Sequence, residues 1–463
     1  MKLIFVGTGY VGLVSGAMLA YLGHEVCCMD RDKRRIENLK NGKMPIYEPG
    51  LNDIVNSLHK SKKLSFINSY SQELYFADAV FITVGTPSLP SGEANLEYVK
   101  HAAMEAAKNT CNDTLIIIKS TIIPGTTKMI EDMLRKAGFS HMVACNPEFL
   151  REGSAIKDFV HPDRIVVGNI AAKTLIEKIY VTFLTSSMQK QCSITGDVAC
   201  HTKVGVDPYL SSGYGKEDGH KLQIFFTDTT TAELIKYASN SLLATKIAFI
   251  NEMSNLCEQV GGDIDALSLG IGLDKRIGKD FLKVGPGFGG SCFPKDILAL
   301  EQFAKIYKAP CYILSAVIES NINRKYDIVV KITEKLGNLE GKKLVILGLT
   351  FKAGTDDIRS SAAIDIIKLL LEKGCNIFAY DPCGMDHTKS LRLDIELADN
   401  YIDASKDADA IVILTEWPEF QNLDYVGLSK QMKQKIIFDY RNILNENSID
   451  KSFTLYQLGK KYA

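Results

Sequence analysis

The hexapeptide Gly7-Thr8-Gly9-Tyr10-Val11-Gly12 follows an apolar run at 3–6 and opens a helical pattern that extends to about residue 22. A second apolar run, Glu25–Met29, leads into Asp30. Strand, spaced glycines, helix, strand and closing acid form the dinucleotide-binding fingerprint in its required context. Few other folds accept that order. Gly7, Gly9 and Gly12 let the backbone close on a pyrophosphate, which rests on the positive end of the helix that Tyr10 and Val11 begin. Asp30 stands where it accepts from a ribose hydroxyl and repels a 2′-phosphate, so NAD is expected rather than NADP.

The alternation continues down the chain. Runs at 79–84, 115–118 and 142–145 each precede a helical pattern, as in a parallel doubly wound sheet. Ligands of such sheets bind at the carboxyl ends of the strands. Three polar clusters fall there: Gly85-Thr86-Pro87, Ser120-Thr121 and Asn146-Pro147-Glu148. Turn chemistry is their plainer explanation. Their shared edge with Gly7 and Gly12 points to cofactor and substrate contact.

From about 230 to 260 the chain reads as one long helix with few breakers and apolar residues on several faces, hence central and largely buried. Lys236 and Asn240 share one of its faces. Lys236 is either a snorkelling surface lysine or a buried lysine with a partner. Runs at 344–347, 377–380, 411–414 and 436–438 then repeat the α/β pattern. The turn after the first of them, Gly348-Leu349-Thr350-Phe351-Lys352, lacks the spaced glycines, so a different nucleotide-bearing ligand is expected there. Asp381 either mimics the ribose-binding acid or, with Pro382, turns the chain; both readings stay open. The expected fold class is α/β, with two doubly wound Rossmann-like domains joined by a long central helix. Its expected divisions are 1–229, 230–330 and 331–463.

A length of 463 residues suits two or three domains. With 24% charged residues and a net charge of −1, nothing argues for nucleic acid or a membrane surface as partner. The start of the chain has no signal-peptide pattern, and no run is long and apolar enough to span a bilayer. Eleven cysteines without framework spacing favour reduced thiols and a cytoplasmic setting.

One of those cysteines stands apart. Gly285-Pro286-Gly287-Phe288-Gly289-Gly290-Ser291-Cys292-Phe293-Pro294-Lys295-Asp296 puts Cys292 at the end of a glycine-rich loop and just before a helix. Pro294 suits the first helical position. The helix N-terminus and the Lys295 charge both favour thiolate over thiol, as a nucleophile needs. A buried, inert cysteine in a glycine turn is the competing reading.

Taken together, residues 7–12, 120–125, 146–152, 233–240, 287–296 and 351–359 resemble the UDP-glucose 6-dehydrogenase family of nucleotide-sugar dehydrogenases, over nearly the whole chain. The resemblance implies oxidation of the C6 alcohol of UDP-glucose to the carboxylate of UDP-glucuronate by two successive NAD⁺, with Cys292 as nucleophile. Lys236 and Asn240 resemble the residues that stabilise an oxyanion, and Asp296 resembles the aspartate that helps activate water. Thr121 and Glu152 resemble water-ordering and cofactor-contacting residues, and Glu148 one that handles protons. Arg35, Thr86, Ser120, Lys295 and Arg359 look like further cofactor contacts. Phe149, Leu150, Arg151, Phe281, Leu282, Lys283, Gly285, Gly289, Phe351, Lys352 and Arg441 look like substrate contacts. The loop glycines are expected to leave room for the sugar C6. Arg276 resembles an arginine that reaches the substrate of a neighbouring subunit, which implies a homodimer or larger assembly built on the long helix. A UDP-N-acetylhexosamine substrate and a catalytically dead UDP-sugar-binding protein are the alternatives. The stretch 184–227 is longer than the family usually has. Its Cys192, Cys200, His201 and His220 match no common zinc spacing, so no metal is expected.

Overall fold

A computed structural model describes residues 1–180 and 223–460. The chain divides into two compact units, Met1–Ala238 and Ser239–Ala463. The division falls inside a helix that runs Thr229–Val260.

The first unit holds an eight-stranded sheet. Its strands are β1 (Lys2–Val6), β2 (Glu25–Met29), β3 (Leu64–Ile67), β4 (Ala79–Ile82), β5 (Leu115–Ile118), β6 (Val143–Cys145), β7 (Ile165–Gly168) and β8 (Ile224–Thr227). Their spatial order is β3-β2-β1-β4-β5-β6-β7-β8. The first six follow the doubly wound order 3-2-1-4-5-6, with the switch point between β1 and β4. One junction departs from the all-parallel expectation: β6 pairs antiparallel to β7 through Cys145 and Gly168. Only a short helix, Ala155–Val160, lies in the connection between them, and the chain returns without a full crossover.

Alternation explains why these strands are apolar throughout. Leu3 and Phe5 of β1 face one core layer, while Ile4 and Val6 face the other. Helices cover both faces, so neither side can be polar. Each fully buried aliphatic side chain contributes roughly 1.5–3 kcal/mol.

The second unit repeats the plan with β9 (Lys343–Leu347), β10 (Asn376–Tyr380), β11 (Ile395–Leu397), β12 (Ala410–Ile413), β13 (Ile436–Asp439) and β14 (Thr454–Gln457). The order β11-β10-β9-β12-β13-β14 is again 3-2-1-4-5-6, here wholly parallel. Leu344 and Ile346 face one layer; Val345 and Leu347 face the other. The unit also contains the helices Ile264–Gly272, Phe293–Ile306 and Tyr312–Leu336.

The long helix, expected to be largely buried, carries an open apolar stripe. Leu242 (64% exposed), Phe249, Leu256 and Val260 lie open on one face. Their spacing of seven, seven and four keeps them on a single stripe. Among the described residues no helix is long and apolar enough to cross a membrane, and no cluster of His, Cys, Asp and Glu fits a metal. Cys192, Cys200, His201 and His220 lie outside the described residues.

Candidate active site

The turn after β1 is shaped by contacts that only glycines permit. Gly7 has φ 105°, and a Cβ there would press on the Thr83 carbonyl at 2.8 Å. At Gly12 a Cβ would collide with the Gly7 carbonyl, whereas nothing lies within 4 Å of one at Gly9. The turn is therefore packed at its two ends and open at its middle, where a pyrophosphate would approach. Thr83 Oγ1 donates to the Val6 and Gly7 carbonyls at 2.9 and 2.8 Å and holds the turn to the end of β4.

Asp30 closes β2 as expected. Its Oδ2 accepts from Thr8 N–H and Oγ1 at 2.9 and 2.8 Å, and its Oδ1 from Asp32 N–H at 3.0 Å. Arg35 NH1 stands 3.4 Å away. Burial opposes ionisation of this carboxyl, but the hydrogen bonds from Asp32 and Thr8, with the Arg35 charge, outweigh it and lower the pKa. A fixed negative charge at this position would repel a 2′-phosphate. Asp30→Asn is expected to raise kcat/KM for NADP relative to NAD by about tenfold, the worth of one weakly screened charge contact. An unchanged ratio would refute the role.

The neighbouring loops are tied together by hydroxyls. Ser120 Oγ donates to the Val84 carbonyl at 2.6 Å, and Thr86 Oγ1 to the Thr121 carbonyl at 2.9 Å.

A buried ionic cluster lies in the same unit. Lys236 is 4% exposed and Glu148 6%, so the lysine does not snorkel. Lys236 Nζ donates to Glu148 Oε1 at 3.1 Å, and Glu148 Oε2 accepts from Leu150 N–H at 2.7 Å. The Phe149 ring has the Arg164 guanidinium over it at 4.1 Å and Lys236 Nζ at 5.4 Å. Three residues before Lys236, Glu233 accepts from Gly125 N–H, Thr127 N–H and Thr127 Oγ1 at 2.5–2.7 Å. That carboxylate caps the N-terminus of the helix Thr126–Lys136. Arg151, by contrast, lies exposed and forks onto Asp158.

Lys119 is a second buried lysine here. Its Nζ donates to Asn146 Oδ1 at 3.1 Å, which also accepts from the Tyr180 hydroxyl at 2.8 Å. Burial, above all, lowers its pKa from 10.5 to about 8; repulsion from Lys236 adds to this, while Glu148 opposes it. Above that value the folded chain releases a proton that the unfolded chain keeps until near 10.5. Stability therefore gains with rising pH across this window and gains nothing below it. Denaturant midpoints should rise relative to Lys119→Met between pH ~8 and ~10. Parallel curves for the two proteins would contradict this.

In the second unit the glycine-rich loop is pinned by two helices. Asn251 Oδ1 accepts from Gly285 N–H at 2.9 Å, and Arg324 Nε donates to the Gly285 carbonyl at 3.0 Å. Asn321 pairs with both backbone groups of Phe288 at 2.8 and 3.0 Å. Gly290 N–H donates to the Arg359 carbonyl at 2.9 Å. A Cβ at Gly289 would collide with the Ser360 carbonyl, and one at Gly290 would meet the Phe351 ring at 2.8 Å. The glycines at 289 and 290 thus make room for the protein's own 351–360 segment.

Cys292 is the N-cap of the helix Phe293–Ile306, so Pro294 takes the second helical position rather than the first. Ser291 Oγ lies 3.5 Å from Cys292 Sγ. Asp296 is fully buried; Lys295 Nζ donates to its Oδ1 at 2.6 Å and Asn240 Nδ2 to its Oδ2 at 2.7 Å. Lys295 was expected to present its charge to the thiol. Its ammonium pairs with Asp296.

The remaining predicted contacts of this unit separate into four groups. Arg441 donates to the Leu414 and Phe351 carbonyls at 2.7 and 3.1 Å, beside Gly285. Lys352 Nζ lies 5.7 Å from the Phe351 ring centroid. Arg359 forks onto Asp357 and exposed Arg276 onto Asp274. Phe281 has φ 62°, a strained value for an aromatic residue, next to buried Leu282 and exposed Lys283.

Residues 1–184 match the NAD binding domain of the UDP-glucose/GDP-mannose dehydrogenase family, 230–323 its central domain and 345–446 its UDP binding domain. A UDP-glucose 6-dehydrogenase of Rickettsia felis is 46% identical over 100% of this chain and 97% of its own. The chain belongs to the UDP-glucose/GDP-mannose dehydrogenase family. It is an NAD-dependent dehydrogenase. Its fold superposes on a UDP-glucose dehydrogenase of Pyrobaculum islandicum with TM-score 0.83 at 32% identity, covering 100% and 98% of the two chains. A UDP-D-ManNAc dehydrogenase of Pyrococcus horikoshii gives 0.80 at 25% identity, with 99% of each chain covered.

For this family member, Asp381 is a clamp. Its two oxygens accept from the backbone of Leu349, Thr350, Cys383 and Gly384 and from the Thr350 and Trp417 side chains. No lone pair is left for a ribose, so the turn reading holds. Sequence reasoning missed Glu48, Lys119, Asn321 and Arg324. The last two, three apart on an otherwise apolar face, carried a usable signal: buried polar residues on a helix need partners.

Proposed function

We propose that this dehydrogenase oxidises UDP-glucose at C6 to UDP-glucuronate through a covalent intermediate on Cys292. The observation that carries the reading is Cys292 at a helix N-terminus, one turn before a buried Asp296 held by Asn240 and Lys295. The names of the relatives support the substrate. NAD, when bound, supplies the hydride acceptor, one molecule for each two-electron oxidation. The Cys292 thiolate adds to the C6 aldehyde left by the first oxidation and gives a thiohemiacetal. The second oxidation leaves a thioester, which water cleaves to the carboxylate and the free thiolate. Covalent capture keeps the aldehyde from escaping.

In this reading Lys236 and Asn240 donate to the C6 oxygen as its negative charge develops, where a buried ammonium acts strongly. Glu148 takes up and returns the proton across the 3.1 Å bond to Lys236. Asp296 activates the hydrolytic water, with Thr121 and Glu152 ordering it. Arg35, Thr86 and Ser120 border the cofactor, while Phe281, Phe351, Lys352 and Arg441 contact the UDP-sugar. The protein acts in the cytoplasm as a homodimer, and the exposed stripe of Leu242, Phe249 and Leu256 is apolar enough to serve as the dimer face.

Two NADH formed per UDP-glucose, with none from UDP-N-acetylglucosamine or UDP-N-acetylmannosamine, is the expected result. NADH from the N-acetylhexosamines alone would overturn the substrate assignment.

A further inference from the structure

Three segments distant in sequence meet on one buried carboxylate. Glu48 lies in the turn Pro45-Ile46-Tyr47-Glu48-Pro49-Gly50 and is 6% exposed. Its Oε2 accepts from the Tyr10 hydroxyl in a very short contact and from Gly153 N–H at 2.7 Å. Its Oε1 accepts from Ala155 N–H at 2.8 Å. Gly153 N–H also reaches Tyr10 Oη at 2.8 Å.

Burying a carboxylate costs several kcal/mol unless its lone pairs are filled, so a site this well filled holds its partners firmly. What it holds matters for the reaction. Tyr10 is the first residue of the helix whose N-terminal turn would receive a dinucleotide pyrophosphate. Gly153 and Ala155 end the loop that carries Glu148, Phe149 and Glu152. Burial first, then Glu48, keeps the Tyr10 phenol protonated far above its ordinary range, so it remains a donor at any working pH.

The geometry points to Glu48 as a positioning residue that latches the 148–155 loop onto the dinucleotide turn, so that NAD binding and the setting of that loop are coupled. The importance of the loop rests on the function proposed above; the latch itself does not. A ligand that orders Gly9 to Gly12 also orders the Tyr10 side chain. Through Glu48 that order passes to the amides of Gly153 and Ala155. A simple brace would hold those amides equally with and without NAD.

The test is amide hydrogen exchange of peptides covering 150–156 in the full chain, with NAD as the only added ligand. In the wild type NAD should slow exchange there by about tenfold. In Tyr10→Phe the exchange without NAD should stay near wild type, because Glu48 still holds both amides, while most of the NAD-induced slowing is lost. In Glu48→Gln exchange should be fast in both states, since an amide NH2 replaces one acceptor. NAD affinity should weaken by about three- to tenfold in both variants. Equal NAD-induced slowing in wild type and Tyr10→Phe, or none in the wild type, overturns the latch. Should Glu48→Gln fail to fold, Tyr10→Phe decides alone. Because UDP-glucose is absent from these measurements, failure of the substrate assignment is detected separately by NADH stoichiometry.

Discussion

Cys292→Ser is expected to lose overall two-NADH turnover by on the order of 10³-fold or more, as when a nucleophile is removed from a covalent mechanism. A serine hydroxyl is far less ionised than a thiol near neutral pH, so capture of the aldehyde slows. Any intermediate that does form is an ester, which hydrolyses more slowly than a thioester. Intact-protein mass spectrometry after incubation with UDP-glucose and NAD should then show a uronyl adduct on the variant. Turnover near the wild-type rate would remove Cys292 from the chemistry. The surroundings of Cys292 should survive the change: Asp296 keeps its bonds from Asn240 and Lys295, neither of which involves the sulfur. Unaltered thermal stability beside a collapsed rate is therefore part of the expectation.

Lys236→Met should show two losses that a second substitution can separate. It removes the ammonium proposed to stabilise the oxyanion, which should lower kcat by about 10²–10³-fold. It also leaves Glu148 buried with only the Leu150 N–H on one oxygen, a loss of about 3 kcal/mol in stability by comparison with other broken buried pairs. Adding Glu148→Gln neutralises the orphaned charge. The double variant should recover most of the stability in denaturant titration and none of the turnover. If turnover returned with stability, Lys236 would be a structural lysine and the oxyanion role would fall.

Much of the architecture was legible because it is written locally. The runs at Glu25–Met29 and Leu115–Ile118 form strands with those bounds, and the helix expected over about 230–260 runs Thr229–Val260. Periodicity and breakers depend on neighbours in the chain, which a sequence displays. The reversal at β6 and β7 was hidden because a three-residue strand has the same pattern in either direction. Glu48 was hidden for a different reason. An acid between a tyrosine and a proline in a turn resembles any solvated turn acid until the segments at 10 and 153–155 are seen to close on it.

The sequence by itself determined the two doubly wound sheets, an acid at the end of the second strand, and a cysteine at the start of a helix. Each follows from side-chain volume, glycine spacing or charge at one position. Only the tertiary structure decided which polar groups have partners. It buried Lys236 against Glu148, 88 residues away, filled every lone pair of Asp381, and turned the Lys295 charge onto Asp296. It also gave the loop glycines their reason, since the chain at 351–360 passes too close for a Cβ. The physical cause is common to all of these. A charge or hydrogen-bonding group takes its energy from what surrounds it once water is removed, and those surroundings come from parts of the chain that only folding brings together.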